Sequence, residues 1–296
     1  MDTLVRGNSM DGAIRVFCTV TTDVVNEAHR IHKTYPVATA AIGRLLTGAA
    51  LMGATLKNDD DSITLQIRGD GPLGTLVAVT DSHSHVRGYV GNPFVDRPLN
   101  AKGKLDVGGG VGKGTLSVVR DLGLKEPYIG QVPLVSGEIA EDLTAYYAAS
   151  EQIPTAIALG VLVDTDNTAI AAGGYLIQMM PGSTDEMAQK IEETINALPP
   201  VTTMIHEGMS AEDMLFKVTE GFDMLMDNNI VEPEYECKCS KERMEQALIS
   251  IGKKEIKDII DEQGHAEITC HFCENRYDFS KQELEALLEQ AKGDAE

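Results

Sequence analysis

The chain has 296 residues, 43% of them hydrophobic, which is enough for one sizeable domain and a smaller one. Its 46 acidic and 25 basic side chains give a formal net charge of −21, and the excess falls late: residues 1–184 carry 19 acidic and 14 basic side chains, residues 185–230 carry 10 and 2, and residues 231–296 carry 17 and 9. Nucleic-acid binding requires positive charge against phosphate, so this balance argues against a nucleic-acid partner.

Met1-Asp2-Thr3 opens without a basic n-region or an apolar h-region, so no secretory signal is expected and the chain reads as cytoplasmic. Residues 13–20, a β-branched and apolar run, predict a strand that holds Cys18 as a small buried hydrophobe. Residues 23–33 and 37–56 predict two helices, with Pro36 opening the second. Arg44 interrupts that second run. Its Ala and Gly content suits a closely packed buried helix better than a membrane span, so no membrane partner is expected.

Strands are predicted at 62–68, 75–81, 85–90, 115–120 and 128–134. Gly69-Asp70-Gly71-Pro72-Leu73-Gly74 matches GxGxxG in letters, but a strand follows it where a phosphate-binding helix should start, so it reads as a hairpin turn. Residues 108–115 resemble a phosphate loop and fail at both ends: Val107 stands where the first Gly belongs, and Gly114 follows Lys113 where Ser or Thr belongs. A glycine-rich β-turn is expected there. His83 and His85 read as solvated loop residues. Residues 138–152 predict a helix with Leu143, Tyr146 and Tyr147 inward, and 155–163 and 169–180 predict a strand pair.

From Ser183 the pattern turns helical. Ser183-Thr184-Asp185-Glu186 is a capping box in letters, Pro199-Pro200 ends the first helix, and Ser210 caps a second with Leu215, Val218 and Phe222 on one face. Eight of the 12 methionines lie between 179 and 226. Met is flexible and polarizable, so this is either an ordinary helix-packing surface or a cover able to leave its seat. The predicted organisation is α+β: a mixed α/β core domain over 1–182, a helical Met-rich linker over 183–230 and a small C-terminal domain over 231–296. In the last, helices begin at Ser240, 255 and Ser280, and short strands flank residues 270–273.

Four of the five cysteines pair up in that last segment, as Cys237-Lys238-Cys239 and Cys270-His271-Phe272-Cys273. Thiolate is the soft ligand of a closed tetrahedral zinc site, and a pair of cysteine pairs is the sequence signature of one. Two structural disulfides or unrelated buried thiols are the alternatives. His265 and His271 are read as surface residues. In a reducing compartment paired cysteines bind metal or sense redox state more often than they staple a fold. Zn²⁺ keeps sulfur in the thiolate form that oxidants attack, each sulfur has a near neighbour ready to close a disulfide, and a small module folded by its metal should unfold when the metal leaves.

The order of an α/β domain with Gly174-Tyr175-Leu176-Ile177-Gln178 near its end, a helical linker, CxC and then CxxC resembles the heat-shock protein 33 family, redox-regulated holdase chaperonins of bacteria. The resemblance covers essentially the whole chain. It implies that Cys237, Cys239, Cys270 and Cys273 bind one Zn²⁺ in a reduced, inactive protein. It also implies that oxidation joins Cys237 to Cys239 and Cys270 to Cys273, releases zinc, unfolds the C-terminal domain and linker, and yields a homodimer that holds unfolding client proteins without ATP or catalysis. The competing readings are a constitutive zinc-ribbon interaction module, which the acidic tail disfavours, and a thiol oxidoreductase, which would need CxxC at a helix start.

Overall fold

The computed structural model describes residues 1–291. The chain forms two compact units, Met1–Glu236 and a second that begins at Cys237.

The first unit opens with an antiparallel pair, β1 (Thr3–Ser9) and β2 (Ile14–Val20), followed by α1 (Thr22–His32) and α2 (Pro36–Gly53). A meander follows: β3 (Ser62–Gly69), β4 (Thr75–Asp81) and β5 (Val86–Val90), then the one-turn helix α3 (Val107–Val111), then β6 (Gly114–Asp121) and β7 (Tyr128–Pro133). Helix α4 (Ala140–Tyr146) runs into a π-helical turn, Tyr147–Glu151, and β8 (Thr155–Val163) and β9 (Ala169–Met179) make a hairpin. Helices α5 (Asp185–Ala197), α6 (Val201–His206) and α7 (Ala211–Val218) come next, and β10 (Met224–Met226) closes the sequence of elements.

These strands build two five-stranded antiparallel sheets, ordered β10-β1-β2-β9-β8 and β5-β4-β3-β6-β7. Helix α2 packs against strands of both sheets and is buried on nearly every side. This is why its residues are apolar all round rather than along one stripe. It is long and apolar enough by composition to cross a membrane, but 89% of its apolar window lies inside the protein.

Strand geometry points alternate side chains to opposite faces. In β2, Phe17 joins the core around α2, whereas Ile14, Val16 and Cys18 face the other way. In β9, Leu176 joins the α2 core and Tyr175 and Ile177 face away. Helices α5, α6 and α7 cover that second face through Ile191, Val201, Met204, Met214, Leu215 and Val218. The Met-rich segment is therefore seated on a sheet, and Met187, Met209, Met224 and Met226 pack at its margin. Cys18 is fully buried there, and burial pushes its thiol well above the ordinary range.

Several elements differ from expectation. Strands β1 and β10 and helix α6 carry too little periodicity to be seen in sequence. Residues 107–111 form a helical turn rather than a β-turn, because the Asp106 carboxylate accepts the N–H of Gly109. Thr184, not Ser183, caps α5 by accepting the Met187 N–H. Phe222 lies beyond the end of α7, half-buried at the edge of the covered face.

The two glycine-rich stretches pack on each other, backbone to backbone. The N–H groups of Asp70, Gly71 and Leu73 donate to the carbonyls of Lys113, Val111 and Gly110. A Cβ on Gly69 or Gly114 would collide with the carbonyl of Val111 or Arg68. Glycine is required there by close approach of two backbone segments, and three of the amides are spent on carbonyls rather than facing an anion.

The second unit has α8 (Lys241–Ile251), α9 (Lys253–Glu262), the hairpin β11 (His265–Thr269) and β12 (Arg276–Ser280), and α10 (Lys281–Gln290). Gly252, at φ 100°, separates α8 from α9. Ser280 and Glu283 form a full capping box at the start of α10. Among the described residues its core is eight side chains: Leu248, Ile256, Ile260, Ala266, Phe279, Leu284, Leu287 and Ala291. That is a small core for three helices and a hairpin.

Candidate metal centre

Two segments of the second unit converge. Cys237 and Cys239 lie outside any helix or strand, just ahead of Ser240, which caps α8 by accepting the Arg243 N–H. A backbone hydrogen bond from Cys239 to the Cys237 sulfur draws this pair together. Cys270 and Cys273 sit at the tip of the β11–β12 hairpin. The Cys270 N–H donates to the Asn275 carbonyl at 2.9 Å, and the Cys270 carbonyl accepts the Glu274 N–H at 2.8 Å, with Glu274 in the left-handed region at φ 59°. This tight turn brings the second pair of sulfurs to one point.

All four sulfurs lie within 4.8 Å of one another. Cys237 Sγ is 3.7 Å from Cys270 Sγ, and Cys239 Sγ is 3.3 Å from Cys273 Sγ. A tetrahedral ion with metal–sulfur bonds of about 2.3 Å needs sulfurs roughly 3.8 Å apart, so the donor set fits a soft tetrahedral cation. All four thiols are free of disulfide bonds; Cys270 is buried and the others are half-buried. His265 and His271 are exposed, as their sequence reading expected.

The electrostatics of the group are uneven. Burial raises the Cys237 thiol to about 11 and pushes Cys273 higher still. Burial also opposes the Cys239 thiolate, but hydrogen bonds from Tyr277 and the other three thiols outweigh it and bring Cys239 down to about 7. The Tyr277 hydroxyl donates to Cys239 Sγ at 3.0 Å. Tyr277 is a supporting residue that the cysteine spacing alone does not reveal; its signal is its place on β12, directly after the hairpin tip. A cation would replace the shared protons and hold all four sulfurs as thiolates.

A second group of metal-type donors lies in the first unit: Asp81, His85 and Glu236, with ligand atoms within 4.8 Å of one another. His85 was read from sequence as a solvated loop residue. It is instead half-buried between two carboxylates, because the chain near the end of the unit folds back beside β5.

Fold and site together define a two-unit α+β protein in which a four-thiol centre occupies a small unit and helices cover a sheet of the larger one. The Hsp33 protein family model matches residues 2–280. The 33 kDa chaperonin of Clostridium beijerinckii is 47% identical over 292 residues, 98% of this chain and 99% of that protein. The 33 kDa chaperonin of Clostridium acetobutylicum is 48% identical over 289 residues, 97% of each. The crystal structure of the Thermotoga maritima 33 kDa chaperonin, a heat shock protein 33 homolog, superposes with a TM-score of 0.88 at 42% identity and covers 97% of this chain and 98% of that one. The chain belongs to the Hsp33 protein family, and that membership supports a chaperone role.

Proposed function

We propose that the chain is a redox-regulated, ATP-independent holdase without catalytic activity, working in the cytoplasm. Cys237, Cys239, Cys270 and Cys273 hold one Zn²⁺ per chain in the reduced, inactive state. The observation that carries this reading is the convergence of four sulfurs on a unit whose core, among the described residues, is eight buried side chains. When bound, the ion supplies a fixed charge that keeps the sulfurs as thiolates and fastens the two cysteine segments together.

The chemistry belongs to the cysteines. In each pair, one thiolate attacks a peroxide oxygen, the O–O bond breaks, and a sulfenic acid forms as hydroxide leaves and is protonated to water. The neighbouring thiolate attacks that sulfur, closes the S–S bond and expels the second oxygen as water. Two electrons leave each pair, and two peroxides become four waters. The pairs are Cys237 with Cys239 and Cys270 with Cys273, the sequence neighbours. Disulfide formation removes all four metal ligands, and the second unit, left with a small core, unfolds. The functional division is a client-binding and dimerisation core over 1–182, a linker over 183–230 and a switch over 231–296. Loss of the switch loosens the linker and frees the sheet face that includes Val16, Tyr175 and Ile177. Unfolding clients bind apolar surface of this kind, and the oxidised protein is a homodimer. Neither nucleic acid nor membrane is a partner.

The test is light scattering of a heat-unfolding client protein, without ATP, alongside zinc release to a chelating dye. Oxidised protein suppresses scattering after losing about one zinc per chain, and reduced protein does not. Equal suppression in both states, or zinc retained under oxidant, contradicts the reading.

A further inference from the structure

The Asp81, His85 and Glu236 side chains come from two distant parts of the first unit. Asp81 ends β4, His85 lies in the turn to β5, and Glu236 ends a segment that runs beside β5, the edge strand of its sheet. That segment is aligned by backbone bonds: the Val86 N–H donates to the Glu234 carbonyl at 2.7 Å, and the Glu236 N–H donates to the Val86 carbonyl at 2.9 Å. Tyr235 adds a hydroxyl bond to the Gly88 carbonyl at 2.7 Å. The register places Glu236 beside His85.

His85 Nδ1 lies 3.1 Å from Asp81 Oδ2 and 3.3 Å from Glu236 Oε2. An ion with ligand bonds of about 2.1 Å has neighbouring ligands roughly 3.0 Å apart in octahedral geometry and 3.4 Å apart in tetrahedral geometry. Both imidazole–carboxylate pairs already stand at such spacings, and the two carboxylate oxygens lie within 4.8 Å of each other. Asp81 is held for the purpose: its Oδ1 accepts the N–H groups of His83 and His85, at 3.0 and 3.1 Å, which turns Oδ2 to the imidazole. A proton on Nδ1 can lie along only one of the two directions at a time, whereas a divalent cation bonds all three ligands at once. One imidazole with two carboxylates suits a first-row divalent ion such as Mn²⁺ or Zn²⁺, with water in the remaining positions.

We propose that Asp81, His85 and Glu236 form a second divalent-cation site, of N/O type, that clamps the 234–236 segment onto the edge of β5. The clamp acts at the last residues of the first unit, immediately before Cys237 in sequence. It does not depend on the redox reading of the cysteines.

The probe is Mn²⁺, titrated into the reduced full chain preloaded with one equivalent of Zn²⁺, because thiolates take Zn²⁺ in preference to Mn²⁺. Electron paramagnetic resonance of free Mn²⁺ shows one saturable site per chain. Affinity falls at least tenfold in both Glu236→Gln and His85→Gln, which keep side-chain size. In the unmodified protein, Mn²⁺ broadens the His85 imidazole resonances before those of the other histidines, and amide exchange of residues 234–236 slows severalfold. No saturable site, unchanged affinity in both variants, or first broadening at another histidine overturns the proposal.

Discussion

Asp142 shows how much one carboxylate can organise. It is fully buried, and it accepts the N–H groups of Val135, Ser136, Gly137 and Ile139. These bonds hold Ile139 at φ 74°, a conformation a β-branched residue avoids. Asp142→Ala leaves those donors unpaired in the interior and should cost about 3 kcal/mol or more, read as a lowered denaturant midpoint at unchanged slope. Asp2 is the opposite case. It accepts the N–H groups of Asp23 and Val24 at 3.0 and 2.8 Å, yet burial outweighs them and raises its carboxyl from 3.8 to about 6. The folded state then binds the proton more tightly than the unfolded chain does. The stability Asp2 contributes is present below about pH 4 and is lost as pH rises through 6, by about 3 kcal/mol. The melting temperature of the wild type relative to Asp2→Asn should therefore fall between pH 4 and pH 7. A flat difference would show that the carboxyl titrates normally. The four cysteines were legible in sequence because their chemistry is carried by residue type and spacing. Asp81, His85 and Glu236 were not, because nothing local predicts that residue 236 returns to β5.

Among the elements, those with strong local signals were legible. Helices α1 and α2, strands β3 to β9 and the capped helices of the second unit all follow periodicity or caps visible in the chain. Strand β1 was missed because Arg6, Gly7 and Asn8 interrupt its apolar residues, and only pairing with β2 and β10 makes it a strand. Helix α3 was missed because three of its five residues are glycine. The Met-rich helices were visible, but their seat was not, since which sheet face lies open is a property of the tertiary fold. Leu215 is fully buried on that face. Leu215→Asp places a charge there and should lift α7 from β1 and β2, raising binding of a hydrophobic dye severalfold in the reduced protein. Unchanged dye binding would show that the cover does not depend on this contact. In the second unit, Gly252 separates two helices that share a small core, so, on the proposed metal site, a strong chelator should abolish the helical signal of α8 to α10. The α2 core should keep its amide protection. Retained helix in the metal-free second unit would show that its eight-residue core suffices alone.

At the scale of the whole molecule, stability is distributed unevenly, and that unevenness is what a switch needs. The α2 core is large and closed on both sides by sheets, the cover of α5 to α7 rests on one face, and the second unit sets four sulfurs beside a small core. Oxidation should therefore unfold the chain in a fixed order. The most direct measurement is amide exchange, resolved by segment, on the zinc-loaded full chain before and after peroxide with mild heat. Protection should vanish first over residues 237–291 and then over α5 to α7, while α2 and β3 to β6 remain protected. If residues 237–291 keep their protection under oxidant, or if the α2 core loses protection at the same rate, the four cysteines are not a switch and the uncovering of the sheet is not its output.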